Sequence, residues 1–239
     1  MIQRSEEIWL RSLNQWLSVT IDRAPTAPKA TIILCHGLTG DKIGPQKLLA
    51  NLSFHLACGE ADVVRFDFRG SGFSSGSFVT TSLNSMLEDA LWVAGRLKQN
   101  IFWIGISTGA LIALMAAAHR NKNEPVVAIS NGLAESIAFD PMQEDPVSLH
   151  GGQLQLNKQY FESRATLRPR SCFFNKLTDI SVILGSKDEK HYRERQSLID
   201  AGIRVHTIQD SDHLFTAPQH RKELFNYIEK RVFKRSTQT

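Results

Sequence analysis

Short apolar runs that alternate with helical segments constrain the fold of this chain more than any other feature. The runs "TIILC" (31–35), "DVVRFDF" (62–68) and "IFWIGIS" (101–107) are rich in β-branched and aromatic residues. A continuous apolar run of this kind is typical of a strand that is buried on both faces of a parallel sheet. Helical patterns separate the runs, so the sequence predicts right-handed βαβ crossovers and a mostly parallel sheet flanked by helices.

The same alternation continues to the end of the chain. A hairpin of two strands that turns at Leu13–Asn14 is predicted over 6–22. Three further strands are expected within 125–130, 179–186 and 204–209. The helical patterns cover 45–59, 82–100, 108–120, 192–202 and 218–233.

One segment, 131–178, interrupts this alternation. It is polar and contains Pro141, Pro146, Gly151 and Gly152, and its apolar residues follow no period that would build a second core. A length of 239 residues suits one α/β domain. We therefore expect a single domain over 1–239, with 131–178 as a small cap or lid. The candidate contacts of this cap with a substrate are Phe139, Tyr160 and Phe161.

Composition and charge exclude several classes of protein. The net charge of +4 is small and no stripe of basic and aromatic residues is visible, which argues against a nucleic-acid partner. The longest apolar run, "ALIALMAAA", is too short to span a bilayer, and the first residues lack the pattern of a signal peptide. Three cysteines form no disulfide pattern and favour a reducing compartment, so we predict a cytoplasmic location.

The segment 102–118, "FWIGISTGALIALMAAA", places a serine between two glycines where a strand pattern meets a helix pattern. The turn Gly105-Ile106-Ser107-Thr108-Gly109 is a Gly-x-Ser-x-Gly sequence, which at such a junction lifts the serine hydroxyl clear of the sheet. The amides at the start of the following helix favour developing negative charge. Ser107 is therefore the candidate nucleophile.

Other candidate residues follow predicted strands at the same edge of the sheet. Asp188 ends "VILGSKD", His213 lies in "DSDHLF" after the last predicted strand, and His36 follows "TIILC". The carboxyl ends of parallel strands meet at one edge, which is where ligands bind in such sheets. We expect these side chains and Ser107 to lie close together.

These stretches give the chain a resemblance to the α/β-hydrolase superfamily. "LCHGLTG" resembles the His-Gly oxyanion loop of that family, and "RFDFRGSGFSSGS" resembles a stretch common in its esterases. "GISTG" is similar to its nucleophile turn, "VILGSKD" to the strand that delivers the acid, and "DSDHLF" to the loop that delivers the histidine. The spacing of the first two stretches is most similar to that of small carboxylesterases and feruloyl-esterase-like acyl hydrolases.

The resemblance implies a catalytic triad of Ser107, Asp188 and His213. The order serine, acid, histidine is that of the superfamily. His213 would take the serine proton, and Asp188 would orient the histidine. Two alternatives for the acid stay open, namely Glu189 next to Asp188 and Glu135 one strand earlier, where some relatives place the acid.

The resemblance also assigns roles to the oxyanion loop. It implies that the backbone amides of Leu38 and Thr108 form the oxyanion hole and that His36 holds this loop in place. Asp67 and Arg69 are expected to be scaffold residues.

The glycine-containing loops lack the Gly-Lys-Ser/Thr of a phosphate loop, and no histidine cluster has metal-ligand spacing, so we expect neither a cofactor nor a metal.

The function that this pattern predicts is hydrolysis of a carboxylic ester or thioester through an acyl-serine intermediate. The substrate would be a small-molecule ester or thioester, and an acyl group carried by coenzyme A or a carrier protein fits the same chemistry. Acyl transfer to an alcohol, amine or thiol would use the same residues. A binding protein that keeps the fold without the chemistry is the non-enzymatic alternative. The sequence leaves the acyl chain, the leaving group and the oligomeric state open.

Overall fold

A sheet of eight strands forms the centre of the protein. The computed structural model describes residues 4–12, 15–97, 101–134, 140 and 145–233. In these ranges the strand order of the sheet is β1-β2-β4-β3-β5-β6-β9-β10. The strands of this sheet are β1 (Arg4–Ser12), β2 (Gln15–Arg23), β3 (Ala30–Cys35), β4 (Ala61–Phe66), β5 (Ile101–Ile106), β6 (Val126–Ile129), β9 (Ile180–Gly185) and β10 (Arg204–Ile208).

Helices cover both faces of this sheet, and a two-stranded hairpin lies outside it. The hairpin pairs β7 (Val147–Leu149) with β8 (Leu154–Leu156) in antiparallel fashion. The helices are α1 (Leu48–Cys58), α2 (Leu83–Ala94), α3 (Thr108–Arg120), α4 (Lys158–Thr166), α5 (Pro169–Phe173), α6 (Glu189–Tyr192), α7 (Arg195–Asp200) and α8 (Pro218–Phe233).

The pairing of the strands confirms the expected mostly parallel sheet. The strands β4, β3, β5, β6, β9 and β10 run parallel to one another. The predicted hairpin supplies the antiparallel part, because β1 pairs with β2 and β2 pairs antiparallel with β4. The parallel strands therefore end together at one edge, which is the edge that carries the site.

Two apolar clusters hold the layers together, one on each face of the sheet. On one face, Met86 and Ala90 of α2 and Leu111 of α3 pack with the strands. On the other face, Leu52 of α1 and Ile228 of α8 pack with them. The strands between these layers are buried on both faces, which explains why their sequences read as continuous apolar runs.

Two of the predicted helices are shorter than their patterns. The helix expected over 82–100 ends at Ala94, where Gly95 forms the C-cap. The pattern over 192–202 forms only the short α7, which begins at Arg195, and the separate one-turn helix α6 ends at Tyr192. The predicted pairing of the two hairpin strands is confirmed by β1 and β2, and the expected turn at Leu13–Asn14 lies outside the described residues.

The described part of 131–178 packs onto the domain. Leu156 of its hairpin, Tyr160 of α4, Phe173 of α5 and Leu177 after α5 belong to the cluster on the α2–α3 face. Tyr160 is only 6% exposed, so this candidate contact is also part of the core. The proposed contact Phe139 and the alternative acid Glu135 lie outside the described residues.

The lengths of the helices and the state of the cysteines bear on the expectations about a membrane span and about the cellular compartment. Within the described ranges, no helix is both long and apolar enough to cross a membrane. Cys35, Cys58 and Cys172 form no disulfide, and burial raises the pKa of Cys35. The cytoplasmic location stays a prediction.

Candidate active site

Ser107 lies at a strained turn between β5 and α3. Its φ of 55° and ψ of −121° fall in a region that residues other than glycine rarely adopt. Two backbone hydrogen bonds hold the residue there, since its amide donates to Ile129 O at 2.8 Å and its carbonyl accepts from the Ala110 amide at 3.1 Å. The turn thus presents the hydroxyl at the edge of the sheet, where it lines a cleft of about 940 Å³.

The two glycines of this turn are required by close backbone contacts. A Cβ atom on Gly105 would lie 2.1 Å from the carbonyl oxygen of Gly109. A Cβ atom on Gly109 would lie 2.2 Å from the carbonyl oxygen of Cys35 in β3. The Gly-x-Ser-x-Gly sequence is therefore explained by the packing of α3 against β5 and β3.

Asp188 and His213 are joined by a short hydrogen bond. His213 Nδ1 lies 2.6 Å from Asp188 Oδ2, and the Asp188 side chain is only 7% exposed. A carboxylate can only accept, so Nδ1 carries the proton and Nε2 keeps a free lone pair. His213 lines the same cleft as Ser107. In this state His213 can act as a base.

The loops that carry these two residues are held together at the ends of β9 and β10. The Lys187 amide donates to Ser211 O at 2.9 Å, and the Asp210 amide donates to Ser186 Oγ at 2.8 Å. A Cβ atom on Gly185 would lie 2.4 Å from Ser211 O, so only glycine permits this approach. The parallel pairing of the two strands therefore brings Asp188 and His213 together.

The loop after β3 is fixed by His36. The Phe68 amide donates to His36 Nε2 at 3.1 Å, which leaves Nδ1–H to donate to Gly37 O at 2.7 Å. Burial lowers the pKa of His36 and keeps the ring neutral. A Cβ atom on Gly37 would lie 3.4 Å from Ser107 Cβ, so this loop runs directly beside the serine. Leu38 and Thr108 both line the cleft.

Asp67 and Arg69 hold neighbouring loops and do not line the cleft. Asp67 is fully buried and accepts from the amides of Lys42 at 2.6 Å and Phe73 at 3.0 Å. The guanidinium of Arg69 forms an ion pair of 2.6 Å with Asp89 on α2. These contacts fit the scaffold role expected from the sequence.

Comparison with known proteins decides the family. A family model described as the alpha/beta hydrolase fold matches residues 30–200, which is more than half of the chain. The chain belongs to the α/β-hydrolase family. The mostly parallel sheet and the turn at Ser107 agree with this membership. No curated protein matches the chain.

Several solved structures share this fold at low sequence identity. Est1E from Butyrivibrio proteoclasticus, solved with ferulic acid bound, has a TM-score of 0.83 and 20% identity over 97% of this chain and 100% of that one. A serine hydrolase without a lid from Xanthomonas campestris has a TM-score of 0.67 and 20% identity, covering 97% and 94%. Dienelactone hydrolase from Anabaena variabilis has a TM-score of 0.70 and 13% identity, covering 95% and 96%.

His191 is a site residue of this α/β hydrolase that the sequence reasoning missed. Its ring stacks on His213 with centroids 5.3 Å apart and an angle of 26° between the planes. Burial, aided by nearby positive charges, lowers the pKa of His191 to about 4. Its position three residues after Asp188, in the single turn of α6, is the sequence signal that indicates this proximity.

Asp188, His191 and His213 also form the type of cluster that could hold a metal ion, with potential ligand atoms within 4.8 Å of one another. Their hydrogen bonds argue against that use. His191 Nδ1 accepts from the Gly132 amide at 3.1 Å, so Nε2 carries the proton and offers no lone pair. Asp188 Oδ2 is engaged by His213. The cluster is better described as a hydrogen-bonded pair with a stacked histidine.

The described part of 131–178 contributes to the walls of the cleft. Tyr160 Oη lies 3.0 Å from Thr108 Oγ1, the residue after Ser107. Phe161 and the buried Arg164 line the same cleft, and Arg164 donates to Ala134 O at 3.2 Å. Two of the predicted cap contacts, Tyr160 and Phe161, therefore face the cleft.

Proposed function

We propose that the protein hydrolyses carboxylic esters through an acyl-serine intermediate on Ser107. The observation that carries this proposal is the strained Ser107 on the wall of a cleft that also contains His213, itself hydrogen-bonded to Asp188. A serine hydroxyl is a weak nucleophile until a base takes its proton, and His213 Nε2 is the free base of this cleft. The ester-hydrolysing class is also favoured by the esterase Est1E among proteins of this fold.

In the first half of the reaction, His213 Nε2 takes the Ser107 proton while Oγ attacks the carbonyl carbon of the ester. The carbonyl electron pair moves to oxygen, and the amides of Leu38 and Thr108 stabilise the resulting oxyanion. One such donor contributes about 3–4 kcal/mol to the transition state. When the carbonyl re-forms, the bond to the leaving alcohol breaks, and His213 gives that oxygen its proton.

In the second half, His213 takes a proton from water, and the hydroxide attacks the acyl-serine carbonyl. The tetrahedral intermediate collapses, the bond to Ser107 Oγ breaks, and His213 returns the proton to that oxygen. Asp188 keeps the Nδ1–H tautomer of His213 and stabilises the imidazolium throughout without taking the proton itself. No group from outside the chain other than water is needed for this balance.

The residues 131–178 would act as a cap within a single domain over 1–239. Tyr160 and Phe161 line the cleft beside Thr108 and are expected to contact the acyl or the leaving group. Thioesters, including those of coenzyme A or a carrier protein, react by the same steps with a thiol as leaving group. Acyl transfer differs only in replacing water by another nucleophile.

A fluorophosphonate probe tests the nucleophile directly. The protein should be labelled once, at Ser107, and Ser107→Ala should abolish labelling without lowering the melting temperature. Ser163→Ala on α4 is the control, because that hydroxyl donates to Tyr160 O and does not line the cleft. Undiminished labelling of Ser107→Ala would place the nucleophile elsewhere, and absence of labelling in the parent protein would favour a non-catalytic binding role.

Substrate series then separate the related activities. Matched oxygen esters and thioesters of increasing acyl length, with and without an added alcohol acceptor, distinguish ester hydrolysis, thioester hydrolysis and acyl transfer. Ester hydrolysis is the expected main activity. Exclusive turnover of thioesters, or acyl transfer that outpaces hydrolysis, would replace it by one of the alternatives.

A further inference from the structure

Three consecutive residues after β6 each form a hydrogen bond to a different part of the site. Ser130 Oγ–H donates to His213 O at 2.6 Å. Asn131 Nδ2–H donates to Ser107 O at 2.8 Å. The Gly132 amide donates to Nδ1 of His191, the ring that stacks on His213, at 3.1 Å.

This segment is buried and conformationally restricted. Ser130 has a φ of 51°, which a residue with a side chain adopts at an energetic cost. Its side chain is fully buried, and Asn131 is 5% exposed. A Cβ atom on Gly132 would lie 2.6 Å from His191 O, so glycine is needed for its amide to reach the histidine. Strain of this kind persists only where the surroundings hold it, and it is frequent at functional sites.

The location of the segment explains why it can act on both catalytic elements. In the sheet, β6 lies between β5, which leads to Ser107, and β9, which leads to Asp188. Asn131 also uses its other side-chain atom, since Oδ1 accepts from the Leu133 amide at 2.9 Å. Both polar atoms of this buried amide are therefore engaged, and its orientation is fixed.

We propose that Ser130, Asn131 and Gly132 form a positioning segment that sets the distance between Ser107 and His213, with His191 as the ring that supports His213. This inference rests on the proposed function. None of the three is expected to touch the substrate carbonyl. They act through the backbone of the nucleophile, the backbone of the base and the ring stacked on the base. A misplacement of about 1 Å at reacting groups can cost on the order of 100-fold in rate.

Ser130→Ala is the first variant that tests the segment. It removes only the hydroxyl and leaves the backbone requirement at this position unchanged. We expect the rate of fluorophosphonate labelling and kcat for an ester such as p-nitrophenyl acetate to fall at least about 10-fold. KM should change less than about two-fold, because substrate binding is not the affected step.

The matched control is Ser53→Ala. Ser53 is also fully buried, and its hydroxyl donates to Asp22, far along the sheet from the cleft. Both variants lose one buried hydroxyl hydrogen bond, and Ser53→Ala, whose lost bond goes to a carboxylate, should lose at least as much stability as Ser130→Ala. Only Ser130→Ala should lose labelling rate. Equal labelling rates in the two folded variants would overturn the proposal.

Two further variants keep the test valid if Ser130→Ala does not fold. His191→Ala removes the stacked ring, and His191→Phe keeps a flat ring against His213. The phenylalanine variant keeps the stack but loses the bond from the Gly132 amide, so its kcat should lie between those of the alanine variant and the parent. Identical kcat values in the two variants, both equal to that of the parent, would refute the role of His191.

One measurement does not depend on activity. The proton on His213 Nδ1, held by Asp188, should give a downfield resonance in the proton NMR spectrum of the parent protein. Loss of positioning should broaden it in Ser130→Ala and leave it sharp in Ser53→Ala. If the parent neither labels nor hydrolyses esters, the proposed function fails, and this resonance still decides whether the segment orders His213. A resonance equally sharp in both variants would contradict the inference by itself.

Discussion

Replacement of Ser107 by glycine should stabilise the protein while it removes the proposed nucleophile. The backbone at Ser107, with φ of 55° and ψ of −121°, lies in a region that glycine adopts without steric cost. A residue with a Cβ atom held in such a region costs about 1–3 kcal/mol. Ser107→Ala keeps this strain, because alanine also has a Cβ atom, and it is therefore the correct reference.

The expected gain follows from two opposing contributions. Glycine relieves strain of about 1–3 kcal/mol, but it also loses about 0.5–1 kcal/mol more conformational entropy on folding than alanine does. With the middle values of these ranges, about 2 and about 0.75 kcal/mol, the glycine variant is more stable by about 1.2 kcal/mol. For a protein of this size, each kcal/mol shifts the melting temperature by about 2–4 °C. Ser107→Gly should therefore melt about 2–5 °C above Ser107→Ala.

Thermal unfolding of both variants, followed by circular dichroism or calorimetry at one pH, measures this difference. Both variants should be inert to the fluorophosphonate probe, so stability and reactivity are read separately. A glycine variant that melts at or below the temperature of the alanine variant would show that the turn at Ser107 stores no strain. The explanation of this turn given above would then be wrong.

Three other changes have defined outcomes. Asp188→Asn should reduce kcat by a factor on the order of 10³ to 10⁴, because the amide no longer fixes the tautomer of His213. If Asp188→Asn keeps nearly the kcat of the parent and Glu135→Gln is inactive, the acid is Glu135. Gly109→Ala should destabilise the fold by about 1–3 kcal/mol or more, because its Cβ atom would clash with Cys35 O. The control Gly95→Ala, at the C-cap of α2, should cost far less. Equal unfolding midpoints of the two variants in urea would contradict this. The folded pKa of His191 is about 4 and its ordinary value is 6.5, so the unfolded chain binds the extra proton between these pH values and stability falls as the pH drops through this window. His191→Phe should reduce that fall, as measured by melting temperature against pH, and a variant with the parent's pH dependence would assign it to other groups.

The parts of the fold that the sequence predicts well are those with strong local patterns. The strand and helix on either side of Ser107 follow from an apolar run, a glycine-bounded turn and a helical period, and all three are local. The hairpin over β1 and β2 is predicted for the same reason. The proximity of Asp188 and His213 follows from the rule that parallel strands end at one edge.

The parts that the sequence does not predict depend on contacts between distant segments. The stack of His191 on His213 depends on how a four-residue helix places its side chain, and periodicity carries no such information. The burial of Tyr160 depends on packing of α4 against the α2–α3 face, although the segment itself reads as polar. The hydrogen bonds from Ser130 and Asn131 could not be predicted either, because the sequence at these positions indicates only that a strand ends.

The order of the strands also determines when the site comes into existence during synthesis. Ser107 follows β5, whereas its proposed base follows β10, just before α8. A nascent chain that has emerged as far as α7 contains Ser107 but not yet the loop that carries His213. The proposed nucleophile therefore has its proposed base only once β10 joins the sheet beside β9.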